Sequence, residues 1–192
     1  MNPTSPRLLR RAGFSLLEIV IAVSVLIVLA GVLSISAKSL ITRSKVAKVT
    51  SLAEMLKTAC AAHHADCGTY PYEYTGYPTT SRQLSATQTY SGWKGPYIES
   101  PFSAATINPF GGSGHIYNTV TANGWLTGFD LDGNGTNDVT SSGNMLWLSS
   151  VPAEAAQSID SAIDGNLAGT WSSAGRVQYN SGNQYLFVLL YN

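Results

Sequence analysis

Charge is scarce in this chain. Of 192 residues 11% are Asp, Glu, Lys or Arg, split evenly between 11 bases and 11 acids. The bases are also unevenly spread: past Glu99 the acids Asp130, Asp132, Asp138, Glu154, Asp160 and Asp164 face a single base, Arg176. Affinity for phosphate backbones comes from clustered Lys and Arg, so the distal half is not a nucleic-acid-binding surface. There are 2 Cys and 3 His, with no H-E-x-x-H and no G-x-S-x-G, which removes the common zinc-hydrolase and serine-hydrolase patterns. The G-G-S-G run at 111–114 lacks the glycine spacing of a phosphate-binding loop. Proline is absent between Pro6 and Pro71, so nothing in that stretch forces a helix to stop.

What that stretch holds instead is apolar. From Phe14 to Ser36 every residue is apolar or small except Glu18. The run is too long for the apolar core of a cleaved secretory signal and long enough to cross about 30 Å of hydrocarbon as a helix. A charged side chain in the middle of such a span costs roughly 2.5–3.5 kcal/mol, so Glu18 calls for a partner or a route to the headgroups. Arg7, Arg10 and Arg11 lie before the run and Lys38, Arg43, Lys45 and Lys48 after it, so the flanking charges alone do not orient it.

The helical pattern continues past the apolar run. Val49, Leu52, Leu56, Ala59, Cys60 and His63 fall three or four apart and form one stripe, with no Gly or Pro from Ala37 to Ala65. One helix is therefore expected from about 14 to 65, near 75 Å long at 1.5 Å per residue, with its half at 14–36 apolar all round and its half at 37–66 amphipathic. Gly68 and Pro71 end it. The remainder, 67–192, is rich in Gly, Ser, Thr and Tyr and reads as a head. Strand-like runs are H-I-Y-N-T-V, G-W-L-T-G-F, M-L-W-L-S-S, R-V-Q-Y-N and Y-L-F-V-L-L-Y, and a short helix lies in 151–165 between Pro152 and Gly165. The last run lacks alternation, as a strand buried on both faces would. The expected fold class is α+β: a long N-terminal helix packed on a small antiparallel sheet.

Cutting between Gly13 and Phe14 would create an α-amine four residues before Glu18. In a stack of such helices the Glu18 carboxylate of one copy could neutralise the Phe14 ammonium of a neighbour, and a paired charge in an apolar core costs far less than a lone one. The stretch R-R-A-G-F-S-L-L-E-I-V-I-A-V-S-V-L-I-V-L-A-G-V resembles the class III signal of type IV prepilins and type II secretion pseudopilins. That resemblance implies that 1–13 is a leader removed by a prepilin peptidase after Gly13, that the amine of Phe14 is methylated, and that Glu18 serves in assembly. It also implies a pilin fold, an inner-membrane precursor with a periplasmic head, an assembly platform, and a homo-oligomeric filament shared with other pilins or pseudopilins. The segments D-C-G-T-Y-P and W-K-G-P-Y-I-E-S-P-F, with I-N-P-F-G-G-S-G-H-I-Y, are similar to the major pseudopilin of type II secretion, with Asn108 in place of an Asp and Phe110 in place of a Trp. The tail from Val151 is similar to those of minor pilins.

D-L-D-G-N-G-T-N-D sets oxygen-bearing residues at alternate positions: Asp130, Asp132, Asn134, Thr136 and Asp138. Calcium takes six to eight oxygens from a pliable loop, so this spacing points to a calcium site, with Thr136 offering its carbonyl; the pseudopilin resemblance implies the same. A plain polar turn is the alternative. Cys60 and Cys67 are expected to pair in an oxidising compartment, which requires the helix to end near His64, since seven helical residues separate two Cα atoms by about 10 Å. Free buried thiols, or a zinc-type site with His63 and His64, are the alternatives. The functional expectation is a structural subunit rather than an enzyme: a secretion pseudopilin, or else a pilin whose aromatic head (Tyr70, Tyr72, Tyr74, Tyr77, Trp93) binds a surface, or else an anchored periplasmic domain of other function.

Overall fold

The computed structural model describes residues 14–74, 79–102, 104–122, 124–165 and 167–192, with the side chains of 32–37, 104 and 105 also outside the described set. The leader and Gly13 therefore lie outside the described residues. The chain divides into two compact units, Met1–Ile41 and Thr42–Asn192.

Helix α1 (Leu16–Cys67) enters both units. It begins at Ser15, whose Oγ accepts the Glu18 N–H at 3.2 Å, as expected of a Ser that caps a helix three residues before a Glu. It ends at Gly68, whose φ of +69° suits glycine and whose N–H bonds back to the His64 carbonyl at 2.8 Å. In the first unit the helix is apolar on every side, and its large side chains are exposed, from Val23 at 48% to Leu16 at 83%. Among the described residues no helix is long and apolar enough to cross a membrane. The run expected as a span is described by its side chains only as far as Gly31.

In the second unit α1 is one-sided. Val49, Ala53, Leu56, Cys60 and His63 are fully buried, while Glu54 and Lys57 face out. The sheet they cover is antiparallel throughout, in the order β1-β2-β3-β5-β4: β1 (Glu73–Tyr74), β2 (Gly114–Thr119), β3 (Ser142–Leu148), β4 (Val177–Asn180) and β5 (Tyr185–Tyr191). Period-2 alternation splits the strands between two cores. Ile116, Leu146, Leu148, Leu186, Val188 and Leu190 join the α1 stripe and Ile159 of helix α3 (Ala153–Ile163). Met145, Phe187 and Leu189 point the other way, against Val120, Leu126, Phe129 and Val139 from the segment between β2 and β3. β5 is thus buried on both faces, as its unalternating sequence foretells. Each fully buried Leu, Ile or Phe contributes roughly 1.5–3 kcal/mol, so this double core dominates the stability of the head.

Two details depart from the sequence reading, and a third explains a residue it singled out. G-W-L-T-G-F is not a strand: it makes only isolated pairings, Ala122 with Leu126 and Phe129 with Val139, because Gly124 and Gly128 adopt positive φ. The two-residue β1 and the helix α2 (Ala104–Ile107) are too short to leave a periodic signal. Asn108, standing where the similar segment has Asp, is buried; its amide donates to the carbonyls of Ser113 at 3.0 Å and Ser149 at 2.7 Å while its Oδ1 accepts the Phe110 N–H. An ionised carboxylate has no proton for the first two bonds, so the Asn suits this junction of loop, β2 and β3.

Candidate assembly and metal sites

At the head of α1, Phe14 is 79% exposed and precedes the helix, and Glu18 sits in its first turn. An acid there faces the four unpaired N–H groups and the positive end of the helix dipole, a favourable placement independent of any partner. The helix terminus alone therefore supports Glu18 in this position.

The acidic loop is held by its own backbone. Asp130 Oδ1 accepts the N–H groups of Gly133 at 2.9 Å and Asn134 at 3.2 Å, and its Oδ2 accepts that of Gly135 at 2.7 Å. Partial burial alone would push the Asp130 carboxyl up, but the Gly135 and Gly133 N–H groups outweigh it and hold the group below the usual carboxylate range. Asp132 accepts the Asn134 backbone N–H at 3.1 Å and its side-chain amide at 2.9 Å, and Asp138 accepts the Leu131 N–H at 2.7 Å. One oxygen each from Asp130, Asp132 and Asp138 converge within 4.8 Å of one another. Asn134 belongs to the same web, whereas Thr136 enters it through its N–H, donated to Asn134 Oδ1 at 2.8 Å. The donor set is all oxygen and mostly anionic, which fits a hard divalent cation better than zinc or copper. Gly133 closes the loop against its neighbour: a Cβ there would stand 1.8 Å from the Ala168 carbonyl oxygen, at a φ of +74°.

Cys60 and Cys67 are not bonded to each other. The expected disulfide needed α1 to stop near His64, and α1 instead runs through Cys67, which keeps the two thiols two helical turns apart. Cys60 is fully buried, and burial, followed by the nearby Glu73, pushes its thiol far up. No zinc-type site forms either. Both ring nitrogens of buried His63 are taken, Nδ1 by the Thr69 carbonyl at 3.1 Å and Nε2 by the Tyr90 hydroxyl at 2.6 Å, which leaves no lone pair for a metal. Burial lowers its pKa, in keeping with a neutral ring. His64 packs between Tyr70 and Tyr191. The segment after α1 is fastened to it by Lys94, which bridges Asp66 at 2.6 Å, and by the Tyr97 hydroxyl, which donates to Asp66 at 3.0 Å.

The aromatic patch expected at 70–93 is not one surface: Trp93 turns inward to donate to the Gln83 carbonyl, and Tyr77 lies outside the described residues. A different row exists. Tyr74, His115 and Trp147 are cross-strand partners on one register line, with ring centroids 5.1 and 5.2 Å apart, and Tyr185 and Trp125 continue it at 5.1 Å each. Sheet register brings Tyr74, His115 and Trp147 together and tertiary packing adds the other two, so a reading along the chain had no signal for the row. No family model, no curated protein and no solved structure matches this chain.

Proposed function

We propose that the chain is a structural subunit of a type IV pilus-like filament, a pilin-fold pseudopilin of type II secretion. The observation that carries the reading is the start of α1: from Leu16 to Gly31 the helix is apolar on every side and exposed, with Glu18 as its one charge. Water does not tolerate such a surface on a lone molecule, so it belongs in lipid or against other helices. The same helix continues into the head as an ordinary amphipathic element, which suits a protein that is first held in the inner membrane and then packed stem-inward into a periplasmic filament. Glu18 would then pair with the methylated Phe14 amine of a neighbouring copy and fix axial register. Partners on this reading are a prepilin peptidase, the inner-membrane assembly platform and other pseudopilins. The acidic loop would hold calcium through Asp130, Asp132, Asn134, Asp138 and the Thr136 carbonyl, ordering the head rather than catalysing.

The test is the intact mass and N-terminal residue of the protein from membranes that contain a prepilin peptidase. A chain that begins at methylated Phe14 supports the reading; an uncut chain, or one cut near Ser36, overturns it. Glu18→Gln sharpens the result, because Gln serves as well as Glu in a first-turn capping box yet carries no charge. Processing should proceed while filament yield collapses. If Glu18→Gln assembles normally, the helix terminus is all that Glu18 serves.

A second reading, a surface-exposed pilin with a binding head, is favoured by one observation: the half-exposed aromatic row from Tyr74 to Trp125. Replacing Trp125 and Tyr185 with Ser would abolish adhesion on that reading and leave filament yield unchanged on the first.

A further inference from the structure

Helix α3 carries an arrangement that the filament reading does not use. Asp160 is 6% exposed and has no hydrogen-bond or ion-pair partner for its carboxylate among the described residues, although it lies on a buried helix face. Its neighbour one turn on, Asp164, is satisfied: Oδ2 accepts the Val177 N–H at 2.8 Å. The only base of the distal chain, Arg176, is engaged elsewhere, donating to the Leu189 carbonyl at 3.1 and 3.3 Å and reaching Glu54 at 3.5 Å. The carboxylate oxygens are not sealed from solvent, so the group faces the cleft it lines with no protein donor or cation to offset its charge.

Asp160 borders an open cleft of about 270 Å³ beside α3, walled by Trp171, Leu167 and Ala174 and rimmed by Gln157 and Ser161 of α3. Trp171 is held in place by stacking on Tyr179 at 5.7 Å, and the Tyr179 hydroxyl is anchored to the Val151 carbonyl at 2.9 Å. One carboxylate is too few oxygens for calcium or magnesium, which ask for six or more. A single buried anion beside an aromatic wall and aliphatic neighbours is the recognition chemistry of an organic ammonium group. The volume lies just under the usual range of small-molecule pockets, roughly 300–1,000 Å³, and so suits a headgroup and short chain rather than a large ligand.

We propose that the cleft between α3 and Trp171 binds an alkylammonium group, with Asp160 as its counter-ion and Trp171 as its cation–π wall. The ammonium comes either from a free amine or from a lysine side chain of a second copy of this chain, and the same chemistry serves both. The inference does not depend on filament assembly and stands or falls apart from it.

The experiment titrates the full chain, in detergent micelles at pH 7.5, with n-butylammonium and, as its uncharged counterpart, n-butanol. Binding is read by calorimetry and by the 13C carboxyl resonance of Asp160. Butylammonium should bind and shift that resonance, and butanol should do neither. Asp160→Asn should weaken butylammonium about tenfold or more, and Trp171→Leu several-fold. The carboxyl resonance of the unsubstituted chain gives the answer even where a variant folds poorly. If added butylammonium leaves the oligomeric state unchanged, the ligand is a free amine. If it dissociates copies, and Asp160→Asn dissociates them too, the occupant is a neighbour's lysine. Equal binding of butanol and butylammonium, or full affinity in Asp160→Asn, overturns the proposal.

Discussion

Asp130 and Asp160 are buried to nearly the same degree, 5% and 6% exposed, and each has a second acid nearby, yet their carboxyls move in opposite directions. Asp130 meets three backbone N–H groups of a glycine-rich loop and is held below its usual pKa. Asp160 meets none; burial, with the charge of Asp164 behind it, pushes the carboxyl up to about 6. Residue exposure and acid density do not separate the two. The Asp160 carboxyl is desolvated with no N–H donor, whereas hydrogen bonds to the charged form of Asp130 offset its lost hydration. A loop that folds around a carboxylate keeps it ionised and ready for a metal, whereas a helix has already spent its N–H groups on its own carbonyls and leaves a side-chain acid wanting a cation from outside.

The contrast breaks most sharply at Gly133, whose N–H is one of the three donors. Gly133→Ala forces a left-handed φ on alanine and drives its Cβ into the Ala168 carbonyl, which predicts a loss of about 3 kcal/mol or more in chemical denaturation. The Asp130 pKa should rise toward its ordinary value in the same variant. If Gly133→Ala leaves that pKa in place, the N–H explanation is wrong. Calcium is the next largest effect. At about one hundred times its Kd a ligand of the folded state adds about 2.7 kcal/mol, roughly 5–10 °C in Tm for a domain of this size. The shift should vanish in Asp132→Asn/Asp138→Asn and persist in Asp160→Asn. A shift that survives the double substitution places calcium elsewhere.

The sequence made the loop legible and the cleft illegible, for a physical reason. D-L-D-G-N-G-T-N-D is local: its acids, its glycines and the N–H groups they free all lie within nine consecutive positions, so spacing alone announces a ring of oxygens. Asp160 and Asp164 also stand four apart in the sequence, and like charges at i and i+4 on a helix are mildly unfavourable, a faint local sign. But nothing local says that Val177 satisfies one of them or that Trp171 walls in the other. The stripe from Val49 to His63 and the unalternating β5 were readable because burial follows the period of the element. The failure at Cys60 and Cys67 has the opposite origin. Compartment argued for a disulfide, and α1 simply persisted to Gly68, past the point where the two thiols could meet.

The smallest effect isolates Asp160 itself. Its folded pKa of about 6 lies above the ordinary carboxyl value of 3.8, so between those pH values the folded chain holds a proton that the unfolded chain has released. Stability contributed by this group therefore falls as pH rises through that window, and its cost is fully present above about 6. Asp160→Asn removes the cost and should stabilise the protein at pH 7.5 by about 1–2 kcal/mol, less than the full shift implies because the new amide brings donors of its own that lack partners. On acidification the variant's advantage should shrink, and below pH 3.8, where only the cost of the new amide remains, it should be lost or reversed. Neutral His63 and His115, whose pKa values burial lowers, pull the other way over the same range, losing stability as they are forced to charge. Only the difference between wild type and Asp160→Asn cancels them, along with Asp164 at the end of α3, whose charge acts on Asp160, and Arg176 beside Asp164, in both proteins. A gap that does not change between pH 7.5 and 3.5 would mean that the Asp160 carboxyl titrates alike in the folded and unfolded chain, whereas a variant less stable than wild type at pH 7.5 would mean that Asp160 already has a cation in the folded protein.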